Sequence, residues 1–165
     1  LGLYVLGAFS EESARLSDAT CTALQLANFW QDIARDLKDR GRIYLPLEDL
    51  AAHGVSEAEL AGTAASENVR RLMAYEVSRA RGLFAEGLGL VDRLQGRGRW
   101  MVACFSAGGL AVLDAIAAQG YDTRSRHPVL SGLAKLGILA GTGWRLATGG
   151  RGAALCPSAS RTDGV

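Results

Sequence analysis

Apolar residues recur at steps of three and four along almost the whole chain to about residue 148, while strict alternation of apolar and polar residues is nearly absent. Such a chain buries its hydrophobic surface as helices, and the fold class this dictates is all-α. A short helix is expected from Leu1 to Phe9, ending near Ser10. A long one should start near Glu11 and run to about Asp39, where Gly41 stops it. Pro46 sits just inside a short helix through Leu47, Leu50 and Ala51. Ser56 with Glu59 has the spacing of a capping box, and Ser66 is placed to cap a long helix reaching about Leu94. The Gly96, Gly98 pair marks a turn before a helix from about Arg99 to Gln119, ended by Gly120. Tyr121 to Pro128 then makes a polar, basic connection, and a last helix spans roughly Val129 to Ala147.

At 165 residues the chain is long enough for one domain with a real core. That domain is expected over residues 1–148. From Gly149 onward Gly, Ser, Ala, Arg and Pro dominate, periodicity is lost, and residues 149–165 read as a disordered tail. Eighteen Lys plus Arg against seventeen Asp plus Glu leave no basic footprint, which excludes a nucleic-acid partner and requires any bound anion to be captured locally. Cys21, Cys104 and Cys156 lack metal-ligand spacing, and the first two lie in apolar helical surroundings, as expected of reduced core thiols in a cytoplasmic protein. Leu1 opens no signal peptide and reads as the inside of a longer protein. The apolar run from Val129 to Leu146 contains Lys135, several glycines and Thr142, so a buried core helix is expected ahead of a membrane span.

The chemistry-bearing stretch is Cys21 to Pro46, CTALQLANFWQDIARDLKDRGRIYLP. At about 100° per residue, Gln25, Asn28, Asp32, Asp36 and Asp39 fall within an arc of roughly 80° on one helix. Leu24, Leu26, Ala27, Phe29, Trp30 and Ile33 leave much of the remaining surface apolar, so a polar stripe is set into a largely covered helix. Asp32 and Asp36, one turn apart, bring their Cβ atoms to about 6 Å, close enough to share a cation. Magnesium suits them, because it takes only one or two protein carboxylates and completes its octahedron with water and phosphate oxygens. Asn28 adds an amide oxygen one turn upstream. Spacing alone fits equally a solvated acidic face partnered by Arg35 and Lys38.

The whole string is more specific. N-x-x-x-D-x-x-x-D followed by G-R-I-Y-L-P, matched at Gln25, Asn28, Asp32, Asp36, Gly41, Arg42, Tyr44 and Pro46, resembles the second aspartate-rich motif of the squalene and phytoene synthase family. The similarity continues to about Lys135. It implies the C-terminal half of an isoprenoid synthase helical bundle acting on an isoprenoid diphosphate, with magnesium on Asn28, Asp32 and Asp36. Asp32 and Asp36 are then the catalytic carboxylates. Gln25, Arg42, Tyr44 and Arg126 are expected at the substrate, with Leu24 and Cys21 along the tunnel for its tail. For Arg126 ordinary surface charge is an equal alternative, and Tyr44 either orients diphosphate or supports the Asp helix, the latter being preferred.

The phrase CTALQLANFWQD is most similar to the bacterial hopanoid-pathway branch, which converts farnesyl or presqualene diphosphate to squalene or hydroxysqualene. Phytoene-type condensation of C20 diphosphates and a non-catalytic assembly relative are the alternatives. The setting implied is cytoplasmic and leaves room for peripheral association with the inner face of a membrane, where a lipid product is released. The chain departs from the family in one respect: no second D-x-x-x-D occurs, so the first aspartate motif is missing and the chain alone is expected to be inactive.

Overall fold

The computed structural model describes residues 2–125 and 127–155, and among them there is no strand. The helices are α1 (Gly2–Val5), α2 (Glu11–Arg40), α3 (Leu47–Ala52), α4 (Glu57–Leu60), α5 (Glu67–Gly87), α6 (Gly89–Arg93), α7 (Gly96–Ala118) and α8 (Gly132–Ala147), followed by a 3-10 turn at Gly152–Leu155.

The central element is α2. The Ser10 side chain accepts the Ser13 N–H at its start, Glu11 and Glu12 occupy the positive end of its dipole, and Gly41 ends it at φ 60°. Alanines at 19, 23 and 27 are buried along one side and let α5 lie close, with Trp30 and Ile33 filling the core below them. The approach is tightest at Gly87, where a Cβ would lie 2.2 Å from the Thr20 hydroxyl. The core continues through Leu72, Met73, Val77 and Phe84 of α5 to Leu113 and Ile116 of α7. Gly109 admits the ring of Phe84 between the helices, since a Cβ there would meet it at 2.3 Å. By length and composition α7 is apolar enough to cross a membrane, yet it packs against α2, α5, α6 and α8.

Several expected boundaries shift for identifiable reasons. The helix expected to reach Leu94 breaks after Gly87 into α5 and α6, because the final 3-10 turn packs against the break; a Cβ at Gly152 would lie 2.1 Å from the Leu88 carbonyl oxygen. The expected tail therefore begins too early. Residues 149–155 are placed, with Leu155 buried and the Gly152 N–H bonded to Asp92 at 2.9 Å, while residues 156–165, including Cys156, lie outside the described residues. Gly98 is not in a turn but inside α7, where Leu6 packs over it. The last helix starts at Gly132, capped by Ser131, and is not a buried core helix: Leu133, Leu136 and Leu139 are exposed, and only Leu146 of its leucines packs against the core. Cys21 is likewise exposed rather than a core thiol; it and the half-buried Cys104 are free.

Candidate active site

The expected stripe forms on α2 as a continuous line. Gln25 and Asn28 are exposed, Asp32 is half-buried and Asp36 is buried, 5% exposed. The stripe does not look into a closed cavity, because no element among the described residues covers Gln25 and Asn28. It is an open face that deepens toward its C-terminal end.

The two carboxylates are held differently. One oxygen of Asp36 accepts from Arg40 Nη1 at 3.0 Å, and the Asp36 backbone carbonyl accepts the Arg42 N–H at 3.3 Å. Asp32 lies between two partners: the Arg35 guanidinium on one oxygen and the His127 ring nitrogen Nε2 at 2.9 Å on the other. Gly41 turns the chain back so that Tyr44 stacks flat on Phe29, ring centroids 4.1 Å apart and planes within 2°. Tyr44 thus braces the outer side of α2, and the Arg42 side chain is left exposed at the end of the stripe with no ion-pair partner among the described residues. Arg126, expected at the same site, lies outside the described residues.

His127 had no distinguishing pattern in the sequence. It is brought 95 positions across the chain by a braced connection in which Asp122 organises residues 121–125. Its carboxylate accepts the backbone N–H groups of Ala65 (3.3 Å), Arg124 (3.0 Å) and Ser125 (3.0 Å), the Ser125 hydroxyl (2.7 Å) and Arg70 Nη2 (2.9 Å). Burial alone opposes ionisation of Asp122, but these donors, led by Ser125, outweigh it and hold its pKa at about 2. Arg124 grips the Gly62 carbonyl through Nε and Nη2, and the Gln31 side chain donates to the Pro128 carbonyl, which seats His127 on α2.

The apolar lining expected beside the stripe at Leu24 and Cys21 is extended by residues of α7 that the sequence pattern did not single out. Met101 shares a cleft with Ser17 and Asp18 of α2, and Gly109 backs onto the half-buried Leu24. Helix α7 therefore runs parallel to α2 and carries the exposed Phe105 to the level of Cys21. The cleft, about 240 Å³, is lined by Leu3, Leu6, Leu90, Leu94 and Met101 and sits on the same face of α2 as the stripe, through Ala14, Ser17 and Asp18.

Two carboxylates and one amide oxygen are hard donors in the number magnesium takes from a protein, so this donor set fits that ion. Among the described residues no group of three or more His, Cys, Asp or Glu side chains could hold a metal unaided, so water and substrate oxygens must complete the shell. Arg35 and His127 each occupy one lone pair of the Asp32 carboxylate, and the remaining lone pairs are available to a cation.

An all-helical domain with an acidic stripe bordered by an apolar wall has the architecture of an isoprenoid synthase. The squalene synthase HpnC from Alicyclobacillus acidocaldarius superposes with a TM-score of 0.69 at 46% identity, over 72% of this chain and 45% of that one. A dehydrosqualene synthase solved with a ligand shares the fold at TM-score 0.73, 22% identity, over 81% of this chain and 47% of that one. The phytoene synthase of Thermus thermophilus is 38% identical over 64% of this chain and 36% of its own length, and the 15-cis-phytoene synthase of Synechocystis is 36% identical over 64% and 31%. Residues 1–134 match the squalene/phytoene synthase family, and the chain belongs to it. It spans less than half the length of these relatives.

Proposed function

We propose that this chain is the part of a squalene-type synthase that holds the diphosphate of farnesyl or presqualene diphosphate through magnesium on Asn28, Asp32 and Asp36. The observation that carries the reading is the gradient along one face of α2, from the apolar cleft at Ala14 to Asp18 to the polar stripe at Gln25 to Asp36. From Asp18 to Asp32 is about 21 Å of helix, comparable with an extended farnesyl chain and its diphosphate.

Magnesium bound at the stripe supplies Lewis-acid stabilisation of a departing diphosphate. The chain's own residues do the rest. Asp36, fixed by Arg40, and Asp32 present their oxygens along one line. Arg35, His127 and Arg42 offer cationic or donor groups beside it, suited to the negative charge of the leaving group. Leu24, Phe105 and Met101 flank the path of the tail and keep water from the allylic cation left behind. No nucleophilic side chain is required.

The test is calorimetric titration of farnesyl thiodiphosphate, which does not ionise readily, into this chain. Saturable binding with magnesium that EDTA abolishes supports the reading, and binding indifferent to both magnesium and Asp32→Asn overturns it. The phytoene-type reading is favoured by the identity to the Thermus enzyme, and tighter binding of the geranylgeranyl analogue than of the farnesyl one selects it. Turnover is expected only when the chain is joined to a half carrying the first aspartate motif.

A further inference from the structure

Arg124 is held more firmly than it is satisfied. A guanidinium carries five N–H donors, yet among the described residues only Nε and Nη2 are engaged, both on the Gly62 carbonyl at 3.1 and 2.8 Å. Nη1 is buried with no partner. Burial pushes the group below its ordinary pKa, and Asp122 offsets this only in part, because that carboxylate is taken up by Arg70, Ser125 and backbone N–H groups. The result is a half-buried positive charge that the protein leaves undercompensated.

The same side chain lines a cavity of about 500 Å³, together with Ala34, Leu37 and Lys38 of α2 and with Gly62 and Thr63 of the link between α4 and α5. No carboxylate lines it. Lys38, expected beside the acidic stripe, is exposed here instead and has no ion-pair partner among the described residues. Ala34, two residues from each of Asp32 and Asp36, lies about 160° from both around the helix, so the cavity is on the far side of α2 from the stripe. A lysine in the last turn answers the helix dipole, which accounts for Lys38 but leaves the unmet charge of Arg124 unexplained. Two cations and a hydroxyl residue lining one hollow suit the several oxygens and the negative charge of a phosphoryl group. We propose that this cavity binds a phosphoryl anion, inorganic phosphate or diphosphate, through Arg124, Lys38 and Thr63. Its binding needs no magnesium, and its assignment does not depend on the diphosphate reading of the stripe.

The experiment is calorimetric titration of inorganic phosphate into the purified chain with EDTA present and no magnesium, the melting temperature being read in parallel. Saturable binding at one site, a raised melting temperature and competition by inorganic diphosphate are the expected results. Lys38→Glu should weaken binding about tenfold or more with unchanged helical circular dichroism, and Arg124→Gln should do the same. Arg71→Gln, at an exposed arginine of α5 outside the cavity, should leave binding unaltered. Because Arg124→Gln also gives up the Gly62 carbonyl, Lys38→Glu decides the matter if that variant loses its helical signal. Three outcomes overturn the proposal. One is heat that never saturates, and another is saturable binding untouched by Lys38→Glu. The third is binding lost in Arg42→Gln but kept in Lys38→Glu, which gives the anion to the end of the α2 stripe.

Discussion

Asp122 and Glu76 are both buried carboxylates next to an arginine, yet they are pushed in opposite directions. Asp122 sits where the chain turns through Gly120 and Tyr121, both at positive φ, and the turn points backbone N–H groups at it. Glu76 lies inside α5, where backbone N–H groups are already used within the helix. Neither of its oxygens receives a hydrogen bond; Arg79 Nε stands 3.4 Å away, and Arg79 also pairs with Asp49 of α3 at 3.0 Å. Burial first, and then the neighbouring Asp49, raise Glu76 to about 7. The comparison teaches that the supply of oriented donors, more than depth, decides whether a buried acid is ionised. It also separates two supports of the site: an ionised knot that seats His127 on Asp32, and a poorly satisfied one beneath α3, the helix following Arg42 and Tyr44.

The largest expected effect is at the satisfied acid. Asp122→Ala removes the ion-pair partner of Arg70, which keeps its bonds to the Ala65 and Gly120 carbonyls, and strands the Ser125 hydroxyl and three backbone N–H groups; it should cost about 3–5 kcal/mol, read as a fall in denaturant midpoint. For the wild type the folded pKa lies below the ordinary value of 3.8, so the Asp122 contribution is present above that value and is lost as pH falls toward 2. A loss smaller than 1 kcal/mol by Asp122→Ala would erase the contrast.

Glu76→Gln should have the next largest effect, with the opposite sign. The folded pKa is raised, so the wild-type stability from this group is full below its ordinary value of 4.5 and declines as pH rises through about 7. The amide removes that loss. It should stabilise the protein by no more than about 3 kcal/mol at pH 8 and change little at pH 4, seen as melting curves that diverge only as pH rises. The smallest effect belongs to His127→Ala, which removes one half-exposed contact to Asp32 and should shift stability by less than about 1 kcal/mol. A larger loss would mean that His127 anchors the loop rather than the reverse.

What could be read from the sequence follows the range of the interactions. Gly41, Ser56 with Glu59, and Ser66 act within one turn, and their caps form where the pattern puts them. The stripe was legible because helical spacing alone fixes it. His127 and Phe105 were not, because each reaches the site through tertiary packing that spacing does not encode. The break at Gly87 was hidden for the same reason, being set by Thr20 and by the turn at Gly152. The orientation of α8 misled because apolar content says that a helix is covered without saying by what.

The central claim, that Asp32 and Asp36 act through charge on a bound diphosphate, is tested most directly by Asp32→Asn and Asp36→Asn in a synthase joining this chain to a first-motif half. Turnover of farnesyl diphosphate at saturating magnesium is measured beside the melting temperature. Each substitution keeps the side-chain shape and removes one charge, so turnover should fall about a hundredfold or more, on the order of 3 kcal/mol in the barrier. The melting temperature should move little, since the partners lost, Arg40 and Arg35, are largely exposed. Near-normal turnover in both variants would contradict the assignment and return the stripe to a solvated acidic face.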